Sequence, residues 1–365
     1  MDKGLDIETR QTLLALHGAR YADARLQADV LAGDGDFSAQ VQLAMRRARR
    51  RGLLPRWDLA ERALDWLTDP NHHLLIANAD DYPPLLRAIA APPLLLFVDG
   101  DANRLSDAQV AVVGSRNASP AGCDNAHNLA TALAAHGATV TSGLARGIDG
   151  AAHRGALAVG GATIAVLGCA IDQIYPSQHR ALAAEIRCSG ALVSEFPFGA
   201  PPLPAHFPQR NRIISGLALG TVVVEAAVRS GSISTALHAA EQGREVFAVP
   251  GSIRSPLSKG CHALIKQGAK LVESVEDIVE ELPQLSVNVR RLPALASDDG
   301  RAVPAMHLSP GGARLLAACG WDPFSADELV VRSGLTVQEV SSMLLTLELA
   351  GVVQAQATGS YLRIR

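Results

Sequence analysis

Aromatic residues make up only 4% of this 365-residue chain, so a ligand that stacks along a row of rings has few places to do so. Basic charge is missing in bulk as well. The formal net charge is −3, which excludes a surface that grips polyanions everywhere and leaves only local clusters of Arg for that task. The five cysteines, Cys123, Cys169, Cys188, Cys261 and Cys319, are scattered, odd in number and without a C-x-x-C pair. Neither a disulfide framework nor a thiolate metal centre is written into that spacing, and they read as reduced cytoplasmic thiols. The longest apolar run, near Ala91 to Val98, is interrupted by two prolines, and Met1-Asp2-Lys3-Gly4-Leu5-Asp6 carries no signal-type apolar segment. A cytoplasmic chain without membrane insertion is expected.

Several enzyme signatures are absent. The chain has no G-x-G-x-x-G, no G-x-x-x-x-G-K-[ST], no G-x-S-x-G and no H-E-x-x-H, which argues against a standard dinucleotide site, a P-loop hydrolase, a nucleophile elbow and a zinc protease. Asp149 and His153 stand at i and i+4 on one helical face, a spacing open to a metal or to acid–base work. With no further ligands around them, the plainer assignment is an Asp that tunes the first helical turn and a bonded structural His. No catalytic residue, metal or cofactor is expected.

What is present is apolar and ordered. At 48% hydrophobic and 19% charged residues, the chain is globular, and its length suits two or three domains. Residues 5–68 carry helical periodicity and include the sharpest charge cluster, Arg46-Arg47-Ala48-Arg49-Arg50-Arg51, before Gly52. Such a run either complements the negative end of a helix or touches nucleic acid. Asp69-Pro70-Asn71 breaks the pattern, and Tyr82-Pro83-Pro84 and Ala91-Pro92-Pro93 precede a new domain.

From Val110 onward, strands at about 110–113, 138–142, 162–167, 191–194, 221–225 and 245–249 alternate with helical patterns. Unbroken Val, Ile, Leu and Ala strands interleaved with helices predict a parallel sheet covered on both faces, a Rossmann-like fold. Three phosphate-sized turns fall where such strands end: Gly114-Ser115-Arg116, Ser142-Gly143-Leu144-Ala145-Arg146-Gly147 and Arg229-Ser230-Gly231-Ser232. Outward N–H groups, a helix N-terminus and a neighbouring Arg make each suitable for an anion, although Gly and Ser also build ordinary capped turns. A further segment, Arg210-Asn211-Arg212, opens an apolar helical face; its guanidinium groups are read as projecting from the helix start to fork a phosphate, or as pairing with Glu195 or Glu225.

After a linker at 285–307, three short helices at 313–318, 326–331 and 337–349 and a hairpin over Thr358-Gly359 follow winged-helix order. The would-be recognition helix exposes Thr336, Gln338, Glu339, Ser341 and Ser342 and has no Lys or Arg, so a protein-contact role fits it better than duplex binding.

Taken together, Gly114-Ser115-Arg116, Ser142 to Asp149, Tyr175-Pro176, Ser194-Glu195, Phe207-Pro208 with Arg210-Asn211-Arg212-Ile213-Ile214, Val224-Glu225-Ala226 with Ser230-Gly231-Ser232, and Gly243 to Gly251 resemble the DNA processing protein A family (DprA, also called Smf) over about residues 80–275. The resemblance implies a protein that binds single-stranded DNA without hydrolysing it and loads RecA recombinase onto incoming strands during natural transformation. It puts the DNA pocket on Gly114, Ser115, Arg116, Ser142, Gly143, Arg146, Arg210, Asn211 and Arg212. Where the family often has Lys after the Tyr-Pro pair, this chain reads Ser177-Gln178-His179-Arg180, and Arg180 is assigned that charge. The segment Gly260 to Leu271 lies, by the same resemblance, near a homodimer and RecA surface that includes His262, Ile265 and Leu271. Phe207, Phe196, Phe198 and Tyr175 are the aromatics near the pocket, with core packing expected for most.

The expected architecture is α/β: a Rossmann-like, mostly parallel sheet core at 73–284, a small helical domain of SAM or helix-hairpin-helix type at 1–72, the linker, and a winged helix at 308–365. Two other readings belong to different classes. A nucleotide-cleaving phosphoribohydrolase would need P-G-G-x-G-T-x-x-E where Ser230 to His238 stands, with His238 in place of the acid. A winged-helix transcription regulator with a ligand-sensing core would bind duplex operators.

Overall fold

The computed structural model describes residues 6–20, 30, 36–286, 310–321, 323–356 and 359–363. The linker expected at 285–307, from residue 287 on, and Thr358 of the expected hairpin turn lie outside the described residues, as do residues 21–29 and 31–35 of the expected helical segment. The chain divides into two compact units, residues 1–291 and 292–365.

Each of the six expected strands is present in the first unit. They are β3 (Gln109–Val113), β4 (Thr139–Ser142), β5 (Thr163–Val166), β6 (Ala191–Ser194), β7 (Gly220–Val223) and β8 (Glu245–Ala248). Three more were not read from the sequence: β1 (His72–Ile76), β2 (Leu95–Gly100) and β9 (Lys270–Leu271). The sheet runs β1-β2-β6-β5-β4-β3-β7-β8-β9. The seven strands from β6 to β9 are parallel, while β2 runs antiparallel to β6 and β1 antiparallel to β2. Every residue of β3, β4, β5, β6 and β7 is buried, and β3, β5 and β6 accordingly read as largely apolar runs rather than as an alternation.

The chain leaves β3 toward β4, β5 and β6, then returns to the other side of β3 for β7 and β8. Crossovers therefore diverge between β3 and β7, and the loops after those two strands splay apart to leave a crevice at their carboxyl ends. That topology decides where a ligand can enter.

The N-terminal helices Ile7–Arg20, Phe37–Arg50 and Trp57–Trp66 pack on the β2 end of the sheet. Leu13, Leu16, Val41 and Met45 share one buried cluster with Phe97, Leu167, Leu192 and Phe198. Trp66, Phe97 and Phe198 form an edge-to-face trio with ring centroids 5.5–6.1 Å apart, and the His17 imidazole bonds the Glu195 carbonyl at 2.9 Å. The boundary drawn at residues 72 and 73 thus falls inside one compact unit, because the apolar faces of the helices are completed by the sheet.

In the second unit, the helices Pro310–Ala318, Ala326–Ser333 and Val337–Leu349 and the antiparallel pair β10 (Val353–Ala355) and β11 (Tyr361–Arg363) enclose Leu315, Phe324, Leu329, Val340, Leu344 and Leu347. This is the winged-helix order. Capping boxes at Ser325 with Glu328 and Thr336 with Glu339 start the second and third helices, each satisfying two N–H groups that a helix start leaves open.

Candidate nucleic-acid interface

A cavity of about 520 Å³ opens at the crevice between β3 and β7. Gly114, Ser115, Arg116 and Asn117 line it from the β3 side, and Ser230, Gly231, Ser232 and Thr235 from the β7 side, with Arg210 and Asn211 closing the back. A second cavity of about 290 Å³ is lined by Arg116, Gly143, Ala145, Arg146, Tyr175, Pro176, Gln178 and Phe207. Arg116, Ala145, Tyr175 and Phe207 border both. The Arg116 guanidinium lies 4.8 Å from the Phe207 ring centroid, and Tyr175 sits 5.7 Å from Phe207, ring to ring. Phe196 and Phe198 are buried, whereas Tyr175 is 48% exposed, so two of the four aromatics near the pocket are offered to a ligand.

The turn after β4 is held from beneath. The Asp149 carboxylate accepts from the Gly143 and Ala145 N–H groups at 3.2 and 3.3 Å, and Ile148 N–H donates to the Ser115 carbonyl at 3.2 Å. Gly147 has φ of 72°, and a Cβ there would run into the Ser115 carbonyl, so only glycine can both take the left-handed backbone and sit against the β3 turn. Burial pushes the Asp149 carboxyl up, while Arg210 and the two N–H donors pull against that rise. His153, fully buried, bonds Thr163 Oγ1 at 2.7 Å. The Thr163 hydroxyl already donates to the Val140 carbonyl, so His153 Nδ1 donates to Thr163; burial pushes its pKa down to about 3. Asp149 and His153 therefore serve different partners.

The third turn is a helix start. Ser230 caps the eleven-residue helix Gly231–Glu241, its hydroxyl accepting from Ser232 N–H and its carbonyl from Ile233 N–H, and Ser230, Gly231 and Ser232 bring the positive end of the helix dipole to the cavity wall. Glu225 fixes the neighbourhood by accepting from the Ser119 N–H and hydroxyl at 2.9 and 2.6 Å, while its own carbonyl takes the Ser115 N–H at 2.7 Å.

Of the ten residues proposed from the sequence, Gly114, Ser115, Arg116, Arg210 and Asn211 line the first cavity and Gly143 and Arg146 the second. Ser142 lies below, its hydroxyl donating to the Val112 carbonyl. Arg180, exposed at the start of the helix Arg180–Ser189, borders neither cavity; Gln178 takes the place assigned to it.

The Arg210-Asn211-Arg212 segment does not project two forks. It lies within the helix His206–Leu217, and the 3.6-residue period turns its three side chains to different sides. Arg210 is 3% exposed and donates to the Val166 carbonyl at 2.7 Å; burial lowers its pKa to about 10 against the pull of Asp149. Asn211 donates to the Gly231 carbonyl at 3.0 Å. Arg212 forks Glu195 at 3.0 and 2.6 Å, and burial raises the Glu195 carboxyl against that pairing. Of the residues read as a dimer and RecA surface, Ile265 packs inward against the buried cluster under β7 and β8, His262 bonds the Gly251 carbonyl at 3.0 Å, and Leu271 is 44% exposed on β9.

Ser230, Gly231 and Ser232, a Gly-containing turn by sequence, line the first cavity as well. Their place beside β3 comes only from the strand order.

Fold and site together define an open α/β protein with a switch-point crevice edged by an arginine, two aromatics and two Gly-containing turns. The model of DNA recombination-mediator protein A matches residues 73–283, and that of the DprA winged helix domain matches residues 300–359. The chain belongs to the DNA processing protein A (DprA, or Smf) family. It is 47% identical to Protein Smf of Escherichia coli strain K12 over 327 residues, covering 89% of this chain and 86% of that protein. It is 47% identical to DprA of Streptococcus pneumoniae over 202 residues, 55% of this chain and 71% of the relative. The X-ray structure of S. pneumoniae DprA superposes with a TM-score of 0.59 at 36% identity, over 75% of this chain and 93% of that one. A Helicobacter pylori DprA structure, described for its single-stranded DNA binding mode, gives 0.53 at 28% identity over 58% and 96%. Among the described residues no helix is long and apolar enough to cross a membrane.

Proposed function

We propose that this protein binds single-stranded DNA in the two adjoining cavities beyond the strand ends, protects it without cleaving it, and loads RecA onto it during DNA uptake in the cytoplasm. The observation that carries the reading is the stack of Arg116 on Phe207 where the two cavities meet. A phosphate can take the Arg116 guanidinium beside the positive end of the helix Gly231–Glu241, while a base lies on Tyr175 or Phe207, a combination that tolerates any sequence. The H. pylori relative, studied for single-strand binding, supports this choice of ligand. A non-catalytic role fits Asp149 and His153, which are tied to the turn and to Thr163. A homodimer at the β9 edge, with RecA engaged nearby, completes the proposal; Leu271→Glu should then sediment as a monomer, and an unchanged dimer would remove that edge from it.

The direct test is a salt titration of a long single strand with wild type and an Arg116→Ala, Arg146→Ala variant. Roughly four neutralised phosphates give a slope of log affinity on log salt near −3, at about −0.7 for each, and the variant should lose about 1.4 of it. An unchanged slope, or tighter binding to duplex than to single strand, would sink the reading.

A further inference from the structure

Arg46, Arg47, Arg49, Arg50 and Arg51 crowd the end of the helix Phe37–Arg50, and all five are exposed. That helix packs through Val41, Ala44, Met45 and Ala48, has no acidic residue, and turns its arginines away from the buried side. The negative end of a helix favours one or two cations. Five are too many for that purpose: Arg46 stands three and four residues from Arg49 and Arg50, and like charges at that spacing repel. The density suits a polyanion instead.

The cluster is connected to the cavities. Six residues past the run, Trp57, 39% exposed, begins the helix Trp57–Trp66, whose ten residues span about 15 Å. On that helix Arg62 bonds Asp172 at 2.8 Å, and Asp172 also accepts the Gly199 N–H at 3.2 Å. Pro202 and Pro204, a few residues on, line the larger cavity. The helix Trp57–Trp66 thus carries an exposed ring at the end next to the arginine run and is tied through the Arg62–Asp172 pair to the loop that leads to Pro202 and Pro204, within the reach of a site that covers about 4–16 nucleotides.

We propose that Arg46, Arg49 and Arg50, with Trp57, form a second contact for single-stranded DNA, which takes up the strand where it leaves the cavity past Arg62. This rests on the single-strand reading of the cavities. The test uses the full chain with short (about 6-nucleotide) and longer (about 25-nucleotide) oligothymidylates, sizes chosen to fit or exceed one site. The Arg46→Gln, Arg49→Gln, Arg50→Gln variant should bind the short strand as wild type does. On the long strand it should lose about 2 from the salt slope, three phosphates at about 0.7 each, and roughly tenfold to a hundredfold in affinity at low salt. The matching Lys variant, which keeps the charge on the same helix, should retain the slope, and Trp57→Ala should weaken the long strand alone.

An unchanged long-strand slope in the Gln variant overturns the proposal. So does an equal loss on both lengths, or unchanged DNA binding with lost adhesion to anionic phosphatidylserine vesicles. The Arg116→Ala, Arg146→Ala variant keeps the two ideas apart: if it binds the short strand like wild type, the cavity reading fails whatever the Gln variant does.

Discussion

Adding a single methyl group at Gly143 should do more damage than any exposed substitution near the cavities. A Cβ there would overlap Nη1 of Arg210 and lie 2.5 Å from its Cζ and Nη2, where carbon and nitrogen atoms need about 3.5 Å or more. Gly143 does not use the left-handed backbone, so Ala costs nothing in φ and the whole effect is this collision. The guanidinium has to retreat by about an ångström, away from the Val166 carbonyl that it meets at 2.7 Å and from the buried Asp149 whose charge it balances. A hydrogen bond to a charged group contributes about 1.5–3 kcal/mol, and a loss of that size is expected for Gly143→Ala in urea unfolding. In an Arg210→Ala background the methyl meets open space, so the double-mutant cycle should show at least about 1 kcal/mol of coupling. Short-strand affinity should fall with the single change, because Arg210 and the Gly143 turn line adjoining cavities. Additive effects within about 0.5 kcal/mol would show that Gly143 and Arg210 do not constrain each other, and would refute the argument.

Arg212→Leu should destabilise by about 3–5 kcal/mol, since it leaves the buried Glu195 carboxylate alone, while adding Glu195→Leu should restore most of the loss; single-strand affinity measured where both proteins are folded should be unchanged, and a collapse of binding would return Arg212 to the site. Phe207→Leu should weaken single-strand binding by about 1–3 kcal/mol through lost stacking, with the slope on salt kept; an unaltered affinity would take the ring out of the interface. For pH, His153 and His17 have folded values near 3 and 4 against 6.5 unfolded, both from burial. The unfolded chain binds the protons first, so stability is full above about 6.5 and falls as pH drops toward 4, by up to about 1.4 kcal/mol per unit for each ring. Urea midpoints that stay level from pH 7 to about 5 would contradict this burial.

Strand positions in the parallel core were legible because buried strands need long Val, Ile, Leu and Ala runs, and the phosphate turns were legible because Gly and Ser follow those runs. Edge strands gave weaker signals. Strand β1 is a short half-polar segment, His72-His73-Leu74-Leu75-Ile76, and β9 has two residues, so neither carries a period long enough to read. The sequence offers Glu195 as a partner for the Arg210-Asn211-Arg212 segment, but not which arginine takes it. Arg210 and Arg212 are two residues apart with the same chemistry, yet one braces the Gly143 turn and the other forks Glu195. Which partner a guanidinium meets depends on the helix rotation and on strands far away in the chain.

The sequence by itself determined the α/β alternation, the three Gly-containing turns, the winged-helix order and the family, because these rest on local periodicity, on turn chemistry and on the order of motifs along the chain. Only the tertiary structure decided that the β3 and β7 turns face each other across one crevice, that Tyr175 and Phe207 border it while Phe196 and Phe198 are buried, and that the N-terminal helices share the sheet's core. The reason is physical: strand order, side-chain direction and burial are set by contacts between residues up to 178 positions apart, as between His17 and Glu195, and no local pattern encodes which of those contacts excludes the others.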